Sequence, residues 1–522
     1  MLGACSALSL QGATVPTPSV TGPLPATQAG DPERNYPFYA SLVDLKAKEW
    51  IEEEFFIEGT ANRYDTPPMA TATIVDRAHP FKTRIVVRRP ASQARFNGTV
   101  LVEWNNVTAG RDLDIDWFQS HEHMMRAGYA WVGVTPQLIG VEALKVWNAK
   151  RYGTLDVTHG GAVSRDDLSY DIFSQAGQAI RTGKGNVMGG LRVERIFATG
   201  HSQSAGRLGI YVNGVHPLGP VFDAVILHGG GGRVRTDLSI PVWKLLAETD
   251  VQNQAANRQP DTRLFRTWEV AGNSHVDTKF TAYSSRLSAR DGNPSAPAAA
   301  TALARGTAGA GTGVGRGSGS GRGSAGAATP ARGSASTNPA GCERPPYSHV
   351  PFHHVFNAAL DHLVRWVKDG TLPPAAPPIE VASGGPPAVF ARDSLGNALG
   401  GIRLPEHAVP TAVNTGVNAG PSFCFLFGSH EPFDAATLAK LYPTHERYVA
   451  LVKEAADRNV RAGYVLKEDA EATIREAERF TLNRGARAPS DSPTGALARR
   501  FVGSLRSPGS LAATRSRVFR SS

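Results

Sequence analysis

One serine, one histidine and two acids stand at the ends of apolar runs in this chain. Together they could carry out nucleophilic acyl transfer. Ser202 lies in V-E-R-I-F-A-T-G-H-S-Q-S-A-G, residues 193–206. The apolar stretch 196–198 ends abruptly, and small residues lead into a helix-compatible segment, 205–212. This predicts strand, tight turn and helix, with the serine at a strained apex. Such a turn needs little Cβ bulk two residues to either side. Gly200 meets that demand, whereas Ser204 stands where the usual G-x-S-x-G pattern has its second glycine. The turn would lift Ser202 Oγ above the sheet edge and aim the Gln203 N–H at a bound carbonyl oxygen.

A serine hydroxyl is a poor nucleophile at neutral pH, so it needs a base and a third group to orient that base. The apolar run 265–270 ends in A-G-N-S-H, which places His275 at the C-terminal edge of a sheet, where such sites lie. The run 242–247 ends in Glu248-Thr249-Asp250. Asp250 is the first choice of acid and Glu248 its competitor, since both side chains could point the same way. A second N–H for the oxyanion is expected from the loop Asn105-Asn106-Val107-Thr108, at Asn106 or Val107, although the Asn pair could simply close a turn. His201 reads as a helix-packing or rim residue rather than a second base. His349, His353 and His354 read as helix-entry and rim residues, because their spacing matches no familiar ligand set. Trp147, Tyr152, Tyr170 and Trp243 could line an aromatic pocket or belong to the core.

These residues need a scaffold. Strands are predicted at 50–59, 70–75 with 83–88 (an antiparallel pair or one bent strand), 99–104, 129–134, 195–199, 222–227, 242–247 and 265–270. The later ones are short, apolar, β-branched and bounded by turn residues. Helices are predicted at 116–127, at a segment capped by Ser164 with Asp167 in the capping-box position, and at 352–367, 435–441 and 445–458. An antiparallel start followed by alternating strands and helices gives an α/β fold. Its sheet is mostly parallel and covered on both faces.

The 522 residues are 41% hydrophobic and 19% charged, which is globular. The net charge of +9 does not imply a nucleic-acid partner. Its arginines are scattered along a Gly/Ala/Ser tract and in the tail, without aromatic interleaving or a nucleic-acid motif. No pair of the three cysteines has metal-ligand spacing, so a zinc site is not expected, and acyl transfer by a serine triad needs no metal or organic cofactor. Cys342 and Cys424 could pair in an exported protein or be two buried thiols. Leu2-Gly3-Ala4-Cys5 looks like a lipoprotein cleavage box, although no charged and apolar signal regions precede it. The expectation is an exported protein, periplasmic or extracellular, with membrane attachment through a lipidated Cys5; a cytoplasmic protein is the alternative. The expected organisation is a tether over 1–36 and a core over 37–294. A low-complexity insertion over 295–340, a C-terminal part of the core over 341–483 and a basic tail over 484–522 follow.

The chain resembles the bacterial α/β-hydrolase-domain family with a G-x-S-Q-S elbow, a group of serine esterases. The resemblance is carried by V-L-V-E-W-N-N-V (100–107), G-Y-A-W-V-G-V (128–134), S-Y-D-I-F-S-Q-A-G (169–177), G-H-S-Q-S-A (200–205), W-E-V-A-G-N-S-H (268–275) and R-D-S-L-G-N-A-L-G-G-I-R-L-P (392–405). It implies a nucleophile at Ser202, a base at His275 and a C-terminal segment, 342–477, that helps wall the pocket. In the eight-strand order of that fold the serine turn ends the fifth strand, the acid follows the seventh and the histidine follows the eighth. His201, where an acidic residue is more usual, and the 295–340 insertion depart from the pattern. The expected function is a serine hydrolase acting on a small carboxylic ester. An amidase, thioesterase or lyase on the same triad is the alternative; a non-catalytic binding lipoprotein is the alternative of another class.

Overall fold

A computed structural model describes residues 15–305 and 341–482. Its centre is a nine-stranded sheet in the order β1-β2-β3-β5-β4-β6-β7-β8-β9. The strands are β1 (Ser19–Thr21), β2 (Trp50–Asp65), β3 (Thr73–Pro90), β4 (Thr99–Trp104), β5 (Ala130–Val134), β6 (Arg195–His201), β7 (Ala224–His228), β8 (Val242–Ala247) and β9 (Phe265–Val270). β1 to β3 are antiparallel, β3 meets β5 antiparallel, and β4 to β9 run parallel. The parallel strands are covered on both faces, which is why they read as continuous apolar runs rather than as alternating ones.

The segments 70–75 and 83–88 join as the single strand β3, paired along most of its length with β2. The charges that interrupt these strands are absorbed by buried ion pairs. Arg84 meets Glu54 and Asp112, and Arg88 meets Glu52 and Asp114, at 2.7–3.1 Å. Helices α1 (Ile115–Ala127), α2 (Leu138–Trp147), α3 (Ser169–Thr182) and α4 (Gln203–Ile210) are followed by α5 (Glu248–Gln254) and α6 (Thr278–Asp291). α1 packs against α6 and against α7 (Phe352–Asp369). The buried face of α7, Phe352, Val355, Phe356, Ala359, Leu360, Leu363 and Trp366, has helical spacing.

Three expectations are corrected. The stretch 1–36 is not a tether from residue 15 onward. Thr21 pairs with Phe56 on β2, Leu24 N–H donates to Glu54 O at 2.8 Å, and the buried Tyr36 hydroxyl donates to Asp291 at 2.7 Å. A Thr/Pro/Gly composition conceals edge pairing because that pairing is made by the backbone. Helix α3 starts at Ser169 rather than after a cap at Ser164. Asp166, at positive φ, turns its carboxylate to Leu138 N–H (2.7 Å) and Gln137 Nε2 (3.1 Å). The chain therefore bends to meet α2 before any helix can begin. The low-complexity stretch opens with a helix, Ala298–Arg305, packed on α2. Cys5, residues 306–340 and residues 483–522 lie outside the described residues.

The C-terminal part joins the same core. Ile402 bridges the free edge of β9, with its N–H on Glu269 O at 2.7 Å and its carbonyl on Ala271 N–H at 3.0 Å. That contact covers an otherwise unpaired strand edge. Helices α8 (His445–Ala462) and α9 (Lys467–Arg479) pack together, and Ala456 and Ala470 reach the main core. Cys342 and Cys424 form a disulfide across 82 positions. Among the described residues no helix is long and apolar enough to cross a membrane.

Candidate active site

β6 delivers Ser202 to a sharp turn at φ 63°, ψ −117°, a conformation that side chains rarely adopt. Its N–H donates to His228 O on the neighbouring strand end at 2.8 Å, and its carbonyl accepts from Gly206 N–H at 3.0 Å. The turn closes because Gly200 has no Cβ: one placed there would lie 3.1 Å from Ser204 Cβ. With that side bare, Ser204 is tolerated in the place of a second glycine. Its hydroxyl donates to Asn105 O at 3.2 Å and ties the turn to the loop after β4. The Ser202 hydroxyl has no hydrogen-bond partner among the described residues; catalytic hydrogen bonds often tighten only once substrate is bound.

His275 follows β9. Its Nδ1 stands 2.5 Å from Asp250 Oδ1. A carboxylate there accepts a hydrogen bond from Nδ1–H and leaves Nε2 as the free acceptor. Asp250 Oδ2 accepts from Ala247 N–H at 2.7 Å, so both carboxylate oxygens are held. Glu248 points elsewhere. It accepts from Gly272 N–H at 2.7 Å and from Arg392 Nη2 at 2.8 Å, which clamps the turn before His275 to the C-terminal part. Among the two acids, Asp250 is the one that meets His275.

The loop after β4 divides its roles. Asn106 N–H is already committed to Leu113 O at 3.2 Å, so it is not an open donor, contrary to expectation. Its side chain donates to His201 O at 2.9 Å and accepts from Thr108 N–H at 2.8 Å, which fixes the loop against the serine turn. The N–H groups of Val107 and Gln203 have no partner among the described residues. They are the two open donors.

His201 is not a rim residue. It is buried, with its ring centroid 4.2 Å from that of His275 and 4.4 Å from that of His228. Burial, reinforced by the two neighbouring imidazoles, holds it well below the usual histidine range. His228 Nδ1 lies 2.6 Å from Asp116 Oδ1, and its other face stacks on Phe352 at 4.7 Å. His228 and Asp116 were missed in the sequence; the run H-G-G-G-G directly after a strand, 228–232, was the available signal. Trp147, Tyr152, Tyr170 and Trp243 are core residues. His349 is exposed just ahead of α7, and its ring stacks on His430 at 3.6 Å. His353 and His354 sit in the first turn of α7 with their rings in mutual contact, and His354 is buried. No group of three His, Cys, Asp or Glu among the described residues could hold a metal ion.

The C-terminal part brackets His275 on both sides. Ser348 Oγ donates to Gly272 O at 2.6 Å, Asn273 Nδ2 to Val350 O at 2.5 Å, and Val276 N–H to Leu426 O at 3.0 Å. Phe423 and Phe425 beside that last contact are exposed. A cavity of about 400 Å³ lined by Arg344, Arg392, Val413 and Glu431 includes none of Ser202, His275 and Asp250.

No curated protein matches the sequence. Solved structures similar to it are distant. One of two prolyl endopeptidases is 12% identical, with a TM-score of 0.23, over 49% of this chain; the chain spans about a third (34%) of that protein's length. XC6422 from Xanthomonas campestris, described as an a/b serine hydrolase without lid, is 10% identical with a TM-score of 0.26, over 44% of this chain and 92% of that one. A glucuronoyl esterase from Solibacter usitatus is 12% identical with a TM-score of 0.24, over 52% and 89%. Nothing about substrate carries over at such values. The family model described as Alpha/beta hydrolase domain matches residues 20–475, and the chain belongs to that family.

Proposed function

We propose that this hydrolase cleaves carboxylic esters through an acyl-enzyme formed on Ser202. The observation that carries the reading is the strained Ser202 turn adjoining a histidine whose Nδ1 is held by Asp250. Ser202 Oγ attacks the acyl carbon while its proton passes to His275 Nε2. Asp250 keeps the ring in the required tautomer. The N–H groups of Gln203 and Val107 receive the developing oxyanion. Collapse breaks the bond to the leaving alcohol, which takes the proton from His275. Water then repeats the sequence and frees the acid. An alcoholate leaves more readily than an amine anion, so an ester is the least demanding substrate for this machinery. Amides, thioesters and C–C bonds are the competing substrates of the same triad. The disulfide supports an exported protein, because such bonds persist in oxidising compartments.

The test is hydrolysis of p-nitrophenyl acetate and butyrate by wild type, Ser202→Ala and His275→Ala, with fluorophosphonate labelling in parallel. Labelling and turnover that both vanish in Ser202→Ala support the reading. A folded wild type that neither turns over ester nor takes the label overturns it and favours a binding module.

A further inference from the structure

Three imidazoles lie in a buried row, His228, His201 and His275, with Asp116 at one end and Asp250 at the other. The middle ring has no hydrogen bond for its Nδ1 among the described residues. Burying an unpaired polar atom is costly, and an apolar side chain of similar size would avoid that cost. A group retained in this way calls for a reason beyond packing. The backbone makes room for the row. Gly229, at φ 72°, passes so close that a Cβ there would lie 3.2 Å from both His201 Nε2 and His275 Cε1.

We propose that His201 is a positioning residue for the base, a neutral imidazole that fixes the plane of the His275 ring and faces the imidazolium with an electron-rich partner. The proposal rests on the serine-hydrolase reading above. One hydrogen bond to Asp250 leaves the His275 ring free to tilt about that bond, and the packed ring of His201 removes this freedom. When His275 takes the Ser202 proton, the positive charge appears beside a ring that burial keeps unprotonated. A neutral imidazole always carries one nitrogen lone pair. It can therefore stabilise that charge where an aliphatic side chain cannot.

The charged and titratable groups around the row are few. Asp250 of α5 and His201 of β6 face His275. His228 of β7 faces His201. Asp116 of α1, whose other oxygen accepts from Thr199, and Asp277 after β9 face His228. Glu103 of β4 accepts from Asp116 N–H at 3.0 Å. Phe352 and Phe356 of α7 close the row without charge.

The test is the rate of fluorophosphonate inactivation of the full chain as a function of pH, for wild type, His201→Leu and His201→Gln. The expected plateau for His201→Leu is about ten- to a hundredfold lower. Its acid limb moves to lower pH, because the imidazolium has lost a partner. His201→Gln, which keeps an acceptor, retains the wild-type acid limb. A wild-type plateau and acid limb in His201→Leu overturn the proposal and leave His201 a packing residue. If His201→Leu does not fold, His201→Met reads the same two quantities. A folded wild type that takes no label overturns the serine-hydrolase reading, which is a separate failure.

Discussion

Two buried aspartate–histidine pairs lie within one row of rings, and they differ in what surrounds them. Asp250–His275 and Asp116–His228 have nearly equal Nδ1 to Oδ1 separations, 2.5 and 2.6 Å. His275 stands in a loop beside the serine turn. His228 is the last residue of a central strand, wedged between His201 and Phe352. The pair alone therefore does not make a site. What distinguishes the first pair is the strained serine turn beside it. The Asp116–His228 pair instead ties α1 to the strand end beside β6, and His228 O holds the Ser202 N–H.

The largest expected contrast comes from deleting each histidine. His275→Ala should lose about 10³-fold or more of ester turnover at a temperature where it is folded. His228→Ala should leave the Asp116 carboxylate buried without its histidine and cost about 3–5 kcal/mol of stability. At a temperature where it is folded, that variant should still take the fluorophosphonate label. Thermal melts and labelling of the same samples check both. Loss of labelling in folded His228→Ala would mean that the second pair does more than hold structure.

The two acids of α5 sharpen the contrast. Asp250→Asn removes the carboxylate that sets the His275 tautomer and should lower kcat by about 10³–10⁴-fold. Glu248→Gln should stay within about tenfold of wild type in kcat, yet lose about 1–3 kcal/mol, because its partners are Gly272 N–H and Arg392. Steady-state kinetics and denaturant melts separate the two, and the reverse ranking would exchange their roles.

A smaller effect is expected at the glycine between the pairs. Gly229→Ala forces a Cβ into left-handed backbone and to within 3.2 Å of both the His201 and His275 rings. It should cost about 1–2 kcal/mol in stability and about tenfold in kcat.

The most gradual effect is acid sensitivity from histidines outside the row. Burial lowers His216 and His354 to about 4. Between that value and the ordinary 6.5 the unfolded chain binds protons that the folded chain does not. Stability from these groups is thus full above about 6.5 and is lost as pH falls towards 4. Urea titrations across this window check the slope. Their replacement by Gln should flatten it if the variants fold.

Legibility followed locality. The strand–turn–helix around Ser202 was readable because its signals, apolar run, glycine and small residues, are adjacent in the chain. So was the placement of His275 just after a strand, for the same reason. The start of α3 was not, because Asp166 answers to Leu138 and Gln137, 28 and 29 positions away. The edge strand Ser19–Thr21 was missed because its side chains are ordinary and its backbone makes the pairing. Asn106 was named as a donor because the loop was correctly placed, but the partner of its N–H, Leu113, depends on how that loop folds back.

By itself the sequence determined the fold class, the strand that ends at Ser202 and the run that ends at His275. Each of these is written in local periodicity and turn chemistry. Tertiary structure alone decided which acid faces His275, which N–H groups stay open and that His201 lies buried between two other imidazoles. Those outcomes depend on the direction of side chains that meet across strands and loops. That direction is set by packing, and no spacing along the chain encodes it.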